Sequence, residues 1–276
     1  MEGLSLRELQ LLVESQYTVQ DSRKDLGRMV TFFMELAEQE MLTGVAFCDA
    51  RKLPMELAKE HRVFFIPDDF KVLDLPEEFR VEALGMVRGM HVVYAGRLVY
   101  PVMDVYGDVM GLCGWDKFVQ PKYLDSKNHG YRAKHTTLYG MEKLGIYYVS
   151  SEPVYVVEGI VDALYLRWRG LQSLALLGSS LHPYVVTILR RFGRRLVVLP
   201  DNDTLGKQGD DILNPAGEYL VRKVKKLLPD AMVVQSSIAK DIDEARKQEG
   251  VEERMLEELG RVCQNPYSCF QTLHIR

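Results

Sequence analysis

The sequence predicts an α/β protein: a mostly parallel sheet flanked by helices over residues 151–250, preceded by a smaller α+β subdomain over 45–150 and a helical extension over 1–44, and followed by a helix and tail over 251–276. Three observations predict it. Residues 154–157 are an unbroken apolar run, the pattern of a strand buried on both faces, and the run ends on Glu158 and breaks at Gly159. The pattern returns at 196–199, ending in Asp201-Asn202-Asp203, and at 231–234, followed by Lys240-Asp241-Ile242-Asp243. Helical periodicity fills the intervals, over 160–169, 182–192 and 214–228. Strands alternating with helices fold into a right-handed, mostly parallel sheet.

Taken in order, residues 1–44 read as two helices. Leu6, Leu9, Leu12 and Val13 give the first an apolar face. Leu26, Met29, Val30, Phe33 and Leu36 give the second its stripe, with Asp21 or Ser22 as its cap and Gly44 near its end. Residues 54–60 predict a short helix and 63–66 a strand stopped by Pro67. Residues 92–94 and 97–103 read as strand, Tyr106-Gly107-Asp108 as a turn, and 109–115 as the returning strand. A strand at 173–177 ends on Gly178. Residues 244–260 read as one helix, and the remainder of the chain as an irregular tail.

The chain has 276 residues, 47% of them hydrophobic and 27% charged, as in a soluble globular protein with a sizeable core. No apolar run reaches membrane-spanning length, and the start lacks the basic and apolar regions of a signal peptide, so a cytoplasmic protein with no membrane partner is expected. Cys48, Cys113, Cys263 and Cys269 form no Cys-x-x-Cys pair; no zinc is expected, and free thiols are. The net charge of −4 excludes a bulk basic protein, but Lys117, Lys122, Lys127, Arg132 and Lys134 stand against the one acid Asp125 over 117–134.

If the three strands are parallel, Glu158, the pair Asp201 and Asp203, and the pair Asp241 and Asp243 collect at one edge of the sheet. Open α/β sheets bind their ligands at the carboxyl ends of the strands. Five carboxylates there repel one another unless a cation neutralises them, and all-oxygen donors suit Mg²⁺ or Mn²⁺. Asp162, one helical turn past Gly159, lies close to the same edge and stands second to these five, holding a ligand, a metal-bound water or a basic neighbour.

A glutamate after a strand, followed by two Asp-x-Asp pairs, resembles a TOPRIM domain, the module shared by bacterial-type primases, topoisomerases and some nucleases. A narrower resemblance lies upstream. The segment from Arg97 through Pro101, Asp104, Gly107, Gly111 and Gly114 is similar to a motif of bacterial DnaG-type primases. Pro121-Lys122-Tyr123-Leu124-Asp125-Ser126 resembles that family's Pro-Lys-Tyr-Leu-Asn-Ser, and Lys134 with Leu138-Tyr139-Gly140 falls at its lysine and Leu-Tyr-Gly. The resemblance covers roughly 50–245. Two positions depart from it: Trp115 and Thr136 stand where the family has arginines, and Lys117 and Arg132 are the nearest replacements.

The resemblance implies a primase core that makes short RNA primers on single-stranded DNA by two-metal nucleotidyl transfer. Glu158, Asp201 and Asp203 would be catalytic and metal-binding, Asp241 and Asp243 would place a second ion, and Arg97, Lys122, Lys134, Lys117 and Arg132 would hold nucleotide or template. Its partners would be nucleoside triphosphates, single-stranded DNA, and a replicative helicase or a separate zinc-ribbon or accessory subunit. Without the family's amino-terminal zinc ribbon the chain is expected to be a minimal form of the bacteriophage type. The rival expectations are a metal-dependent TOPRIM nuclease and a non-catalytic replication accessory.

Overall fold

The computed structural model describes residues 23–37, 47, 51–80, 86–126, 133–144, 152–192, 195–202, 216–236, 239–264 and 273–275. The expected first helix, the Asp21 or Ser22 cap, Asp203, Lys127 and Arg132 lie outside the described residues. The chain divides into two compact units, Met1–Ala133 and Lys134–Arg276.

In the first unit, helix α1 (residues 23–37) buries Leu26, Met29, Val30 and Phe33, the spacing that gives a helix one apolar stripe. After α2 (Met55–Glu60) comes strand β1 (Phe64–Ile66), and the Phe64 ring stacks on Phe33 with centroids 4.9 Å apart. β2 (Val87–Arg88) and β3 (His91–Val92) form a two-residue ribbon, so the strand expected over 92–94 is confined to its first residue. β4 (Arg97–Met103) and β5 (Val109–Trp115) pair antiparallel where the hairpin is expected, and β6 (Tyr123–Asp125) adds to β5, giving the sheet order β1-β4-β5-β6. All seven residues of β4 are buried, so neither of its faces meets water. Cys113 in β5 is buried and in no disulfide.

In the second unit, the backbone of Lys134 lies in a 3₁₀ turn, Ala133–His135, and α3 (Met141–Leu144) follows. Then come β7 (Val154–Val157), α4 (Ile160–Trp168), β8 (Ser173–Ala175), α5 (Pro183–Arg190), β9 (Leu196–Leu199), α6 (Ala216–Leu227) and β10 (Met232–Ser236). α7 (Ile242–Ala245), α8 (Val251–Gln264) and β11 (Leu273–Ile275) complete the unit. The sheet order is β11-β10-β9-β7-β8, with every pair parallel.

Two expectations are corrected here. The helix expected over 244–260 is two helices, because Gly250 at φ +71° takes a left-handed conformation that no α-helix continues through. The expected irregular tail carries the end of α8 and then β11, which joins the sheet beside β10. Among the described residues no helix is long and apolar enough to cross a membrane.

Candidate active site

The sheet grows in opposite directions from β7: β8 lies on one side and β9 on the other. This is the topological switch point, where the two flanking connections leave a crevice beyond the strand ends. Glu158 follows β7 and Asp201 follows β9 by two residues. The Asp201 backbone N–H donates to Glu158 Oε1 at 3.1 Å, tying the two strand ends together. Asn202 extends the seam: its backbone N–H donates to the Lys240 carbonyl at 2.7 Å and its side-chain amide to the Ser236 carbonyl at 2.8 Å. The loop after β10 is thereby held beside the end of β9, and Asp162, Asp201, Lys240 and Asp241 line one crevice.

The acids at this edge have different surroundings. Burial pushes the Asp201 carboxyl up to about 8, Glu158, Asp162 and Asp241 add to the push, and Lys240 opposes it. The Lys240 ammonium stands 3.8 Å from Asp201 Oδ2. Asp241 is also raised by burial, although it caps α7, accepting from Glu244 N–H at 2.7 Å. Asp243 goes the other way. Burial works against its charge, but hydrogen bonds from Lys247 and Arg246 outweigh burial and hold its carboxyl below the usual value. Asp162 is 8% exposed and accepts from the Asp243 backbone N–H at 2.8 Å, fixing the start of α7 against α4.

Oxygen donors that repel one another in this way suit a hard divalent cation, and the part of the push on Asp201 that comes from Glu158, Asp162 and Asp241 is the repulsion such an ion relieves. Among the described residues no group of three or more His, Cys, Asp or Glu is drawn together closely enough to hold an ion. Asp203 falls outside them.

In metal-free buffer the charge on Asp201 sets a pH dependence. The folded protein keeps a proton on Asp201 up to about pH 8, whereas the unfolded chain releases it near pH 4. The folded state binds more protons across that window, so stability falls as pH rises through it. Melting temperatures measured in chelator are expected to drop from about pH 5 to pH 8, and Asp201→Asn to flatten the drop. An unchanged slope in that variant would contradict the assignment.

Three features of this edge were not assigned from sequence. Lys240 is a resident counter-cation for Asp201. Asp162 accepts from the Asp243 backbone N–H and so ties α4 to the start of α7. Gly217, in the first turn of α6, lies so close to Asp201 that a Cβ there would collide with the Asp201 carbonyl oxygen.

The predicted basic residues divide between the units. Arg97 is 5% exposed and donates from Nη1 to the carbonyls of Pro121 and Lys122 at 3.1 and 3.3 Å, so it shapes the loop that carries Lys122. Gly114 leaves room for this side chain: a Cβ there would sit 3.1 Å from Arg97 Cδ and collide with the Tyr94 ring. Lys117 and Lys122 are exposed on the β5–β6 loop. The Arg51 guanidinium lies 3.4 Å from the Trp115 ring centroid, so one face of Trp115 is already covered. In the second unit, the His135 ring stacks on His182, with centroids 4.8 Å apart and planes 10° apart. His182 caps α5, so the turn carrying Lys134 is fixed to the loop after β8. That loop is joined to the end of β7, where Gly178 N–H donates to the Glu158 backbone carbonyl at 3.3 Å.

No family model matches the chain. Among curated proteins it is similar to the DNA primase of Clostridium acetobutylicum, 31% identical over 166 residues, which cover 58% of this chain and 26% of that primase. The chain spans about a quarter of the length of the curated relatives it matches, 26% of that one and 24% of the primases of Staphylococcus epidermidis and Aquifex aeolicus. Among solved structures, the DnaG primase catalytic domain bound to single-stranded DNA superposes with a TM-score of 0.67 at 21% identity, covering 88% of this chain and 80% of that one. The DnaG catalytic core gives 0.66 at 23% identity, covering 86% and 79%. The chain is similar in sequence to bacterial DNA primases over part of its length and has the fold of the DnaG catalytic core.

Proposed function

We propose that this chain is a DNA primase core, a nucleotidyltransferase that synthesises short RNA primers on single-stranded DNA. The observation that carries the reading is the Asp201–Glu158 seam at the switch point of a primase-core fold, with Asp241 and Asp162 at the same edge. The nuclease and the non-catalytic accessory share the acids, but neither explains the Pro121-Lys122-Tyr123-Leu124 segment.

In this reading the sheet edge is of TOPRIM type, and Glu158, Asp201, Asp203 and Asp241 hold Mg²⁺ or Mn²⁺. Held by these residues, such an ion would supply charge stabilisation for nucleotidyl transfer at the α-phosphate. Asp243 keeps its charge through Arg246 and Lys247 and adds to the field at this edge. Asp162 fixes the start of α7 and so aims Asp241. Lys122 and Lys134 are assigned to binding nucleotide or template, each as a point charge on a flexible stem. Lys117 and Arg132 contribute to holding the template. A replicative helicase or a recognition subunit would bring the protein to its template in the cytoplasm.

Incubation with labelled ribonucleotides, Mg²⁺ and single-stranded DNA tests the reading. Short RNA supports it, whereas cut DNA or no product overturns it. Lys122→Ala is expected to raise the KM for nucleotides and reduce primer yield without changing the melting temperature, because an exposed lysine contributes little to stability. Lys127→Ala, outside the matched positions, is expected to do much less. Equal activity in the two variants would show that this stretch is merely a charged loop.

A further inference from the structure

The β5–β6 loop carries a ring that the proposed chemistry does not use. Phe118 is 87% exposed, with Val119 beside it 49% exposed. A lone exposed apolar side chain is ordinary, but this loop is built to hold the ring out. Asp116 N–H donates to the Lys122 carbonyl at 3.0 Å, closing the loop across its base. The Asp116 carboxylate accepts from the Phe118 backbone N–H at 2.7 Å, fixing the backbone at the ring itself. From beneath, buried Arg97 grips the Pro121 and Lys122 carbonyls.

The charges around the ring narrow the choice of ligand. The Lys117 ammonium stands 5.5 Å from the Phe118 centroid, and Lys122 is exposed on the same loop. Protein interfaces deplete lysine at their apolar centres, which disfavours a protein partner for one ring with a lysine against it on a loop that exposes a second. A nucleic-acid duplex keeps its bases stacked inside and offers this ring only phosphates. An unpaired strand offers both a free base for the ring and a phosphate on either side for the ammonium groups.

We propose that Phe118 is a base-stacking platform for single-stranded nucleic acid, with Lys117 holding a phosphate beside the stacked base. The proposal rests on the primase reading for its role, since it names where the template strand is gripped. Its test is a binding measurement that needs no primer synthesis.

The test is fluorescence anisotropy of a labelled oligothymidylate with the full chain. Phe118→Ala is expected to weaken binding about 5- to 150-fold, the range for loss of one stacked base. The same change should leave the melting temperature where it was, because the ring is exposed. Phe118→Trp is expected to bind as well as the parent. On an abasic strand of the same length, the parent and Phe118→Ala should bind alike. Lys117→Ala should lower the salt dependence of binding, which Phe118→Ala should leave unchanged. Unaltered oligothymidylate binding by Phe118→Ala overturns the proposal, and so does an equal loss on the abasic strand. Stacking-dependent binding by a chain that makes no primers would support the platform and sink the primase reading. Primer synthesis with binding indifferent to Phe118 would do the reverse.

Discussion

Asp201→Asn is expected to lower primer synthesis by a few orders of magnitude, roughly 3–5 kcal/mol of activation free energy at ~1.4 kcal/mol per tenfold. Asparagine keeps the shape of the side chain and the backbone N–H that Glu158 accepts, so the seam between β7 and β9 survives. The anionic oxygen is lost. The same change removes the carboxylate that burial and three neighbouring acids push upward. Activity and stability should therefore part company: the variant loses catalysis, yet at pH 8 in chelator it melts no lower than the parent. Single-turnover primer synthesis and a thermal melt measure the two. Near-normal synthesis would remove Asp201 from the chemistry, and a large drop in melting temperature would make its role structural.

Gly217→Ala should be nearly as damaging, from a position that bears no functional group. Helix propensity alone favours alanine by about 1 kcal/mol in a helix interior. The contact works in the opposite direction. The new methyl would collide with the Asp201 carbonyl oxygen, and two backbones cannot move aside as a flexible side chain can. Overpacking of this kind costs about 1–3 kcal/mol. Either α6 or the end of β9 must shift, and an Asp201 misplaced by about 1 Å can cost on the order of a hundredfold in rate. The expected result is a lower melting temperature together with a loss of primer synthesis. A variant that is stabilised and fully active would show that the close approach does not exist.

The strand ends and their acids were legible in the sequence because strands covered on both faces read as solid apolar runs, whatever helices surround them. The β4–β5 hairpin was legible for the same reason, helped by Gly107 in its turn. What escaped was short or non-local. β11 spans three residues, too few for a period to show. The role of Gly217 depends on a contact with Asp201 that no spacing rule marks. The engagement of Asp243 had a visible signal, because Arg246 and Lys247 follow it at the three- and four-residue intervals of one helical face. The acid pattern drew attention to its charge and not to those partners. Asp241 joined an acid-pair motif and also caps a helix, two roles that sequence reading tends to treat as alternatives.

The position of β7 between β8 and β9 has a consequence for how the protein folds. β8 can zip onto β7 once α4 has formed, since little chain separates them. β9 pairs with the other side of β7 across a longer stretch of chain, Val154 opposite Leu196, and β10 pairs with β9. Pairings between distant segments form late, because their loop-closure entropy must be met before the contacts reward it. Glu158 and Asp201 meet only at that late step. A cation or nucleotide that needs both acids would then act as a latch on the finished sheet, slowing unfolding while doing little to hasten folding.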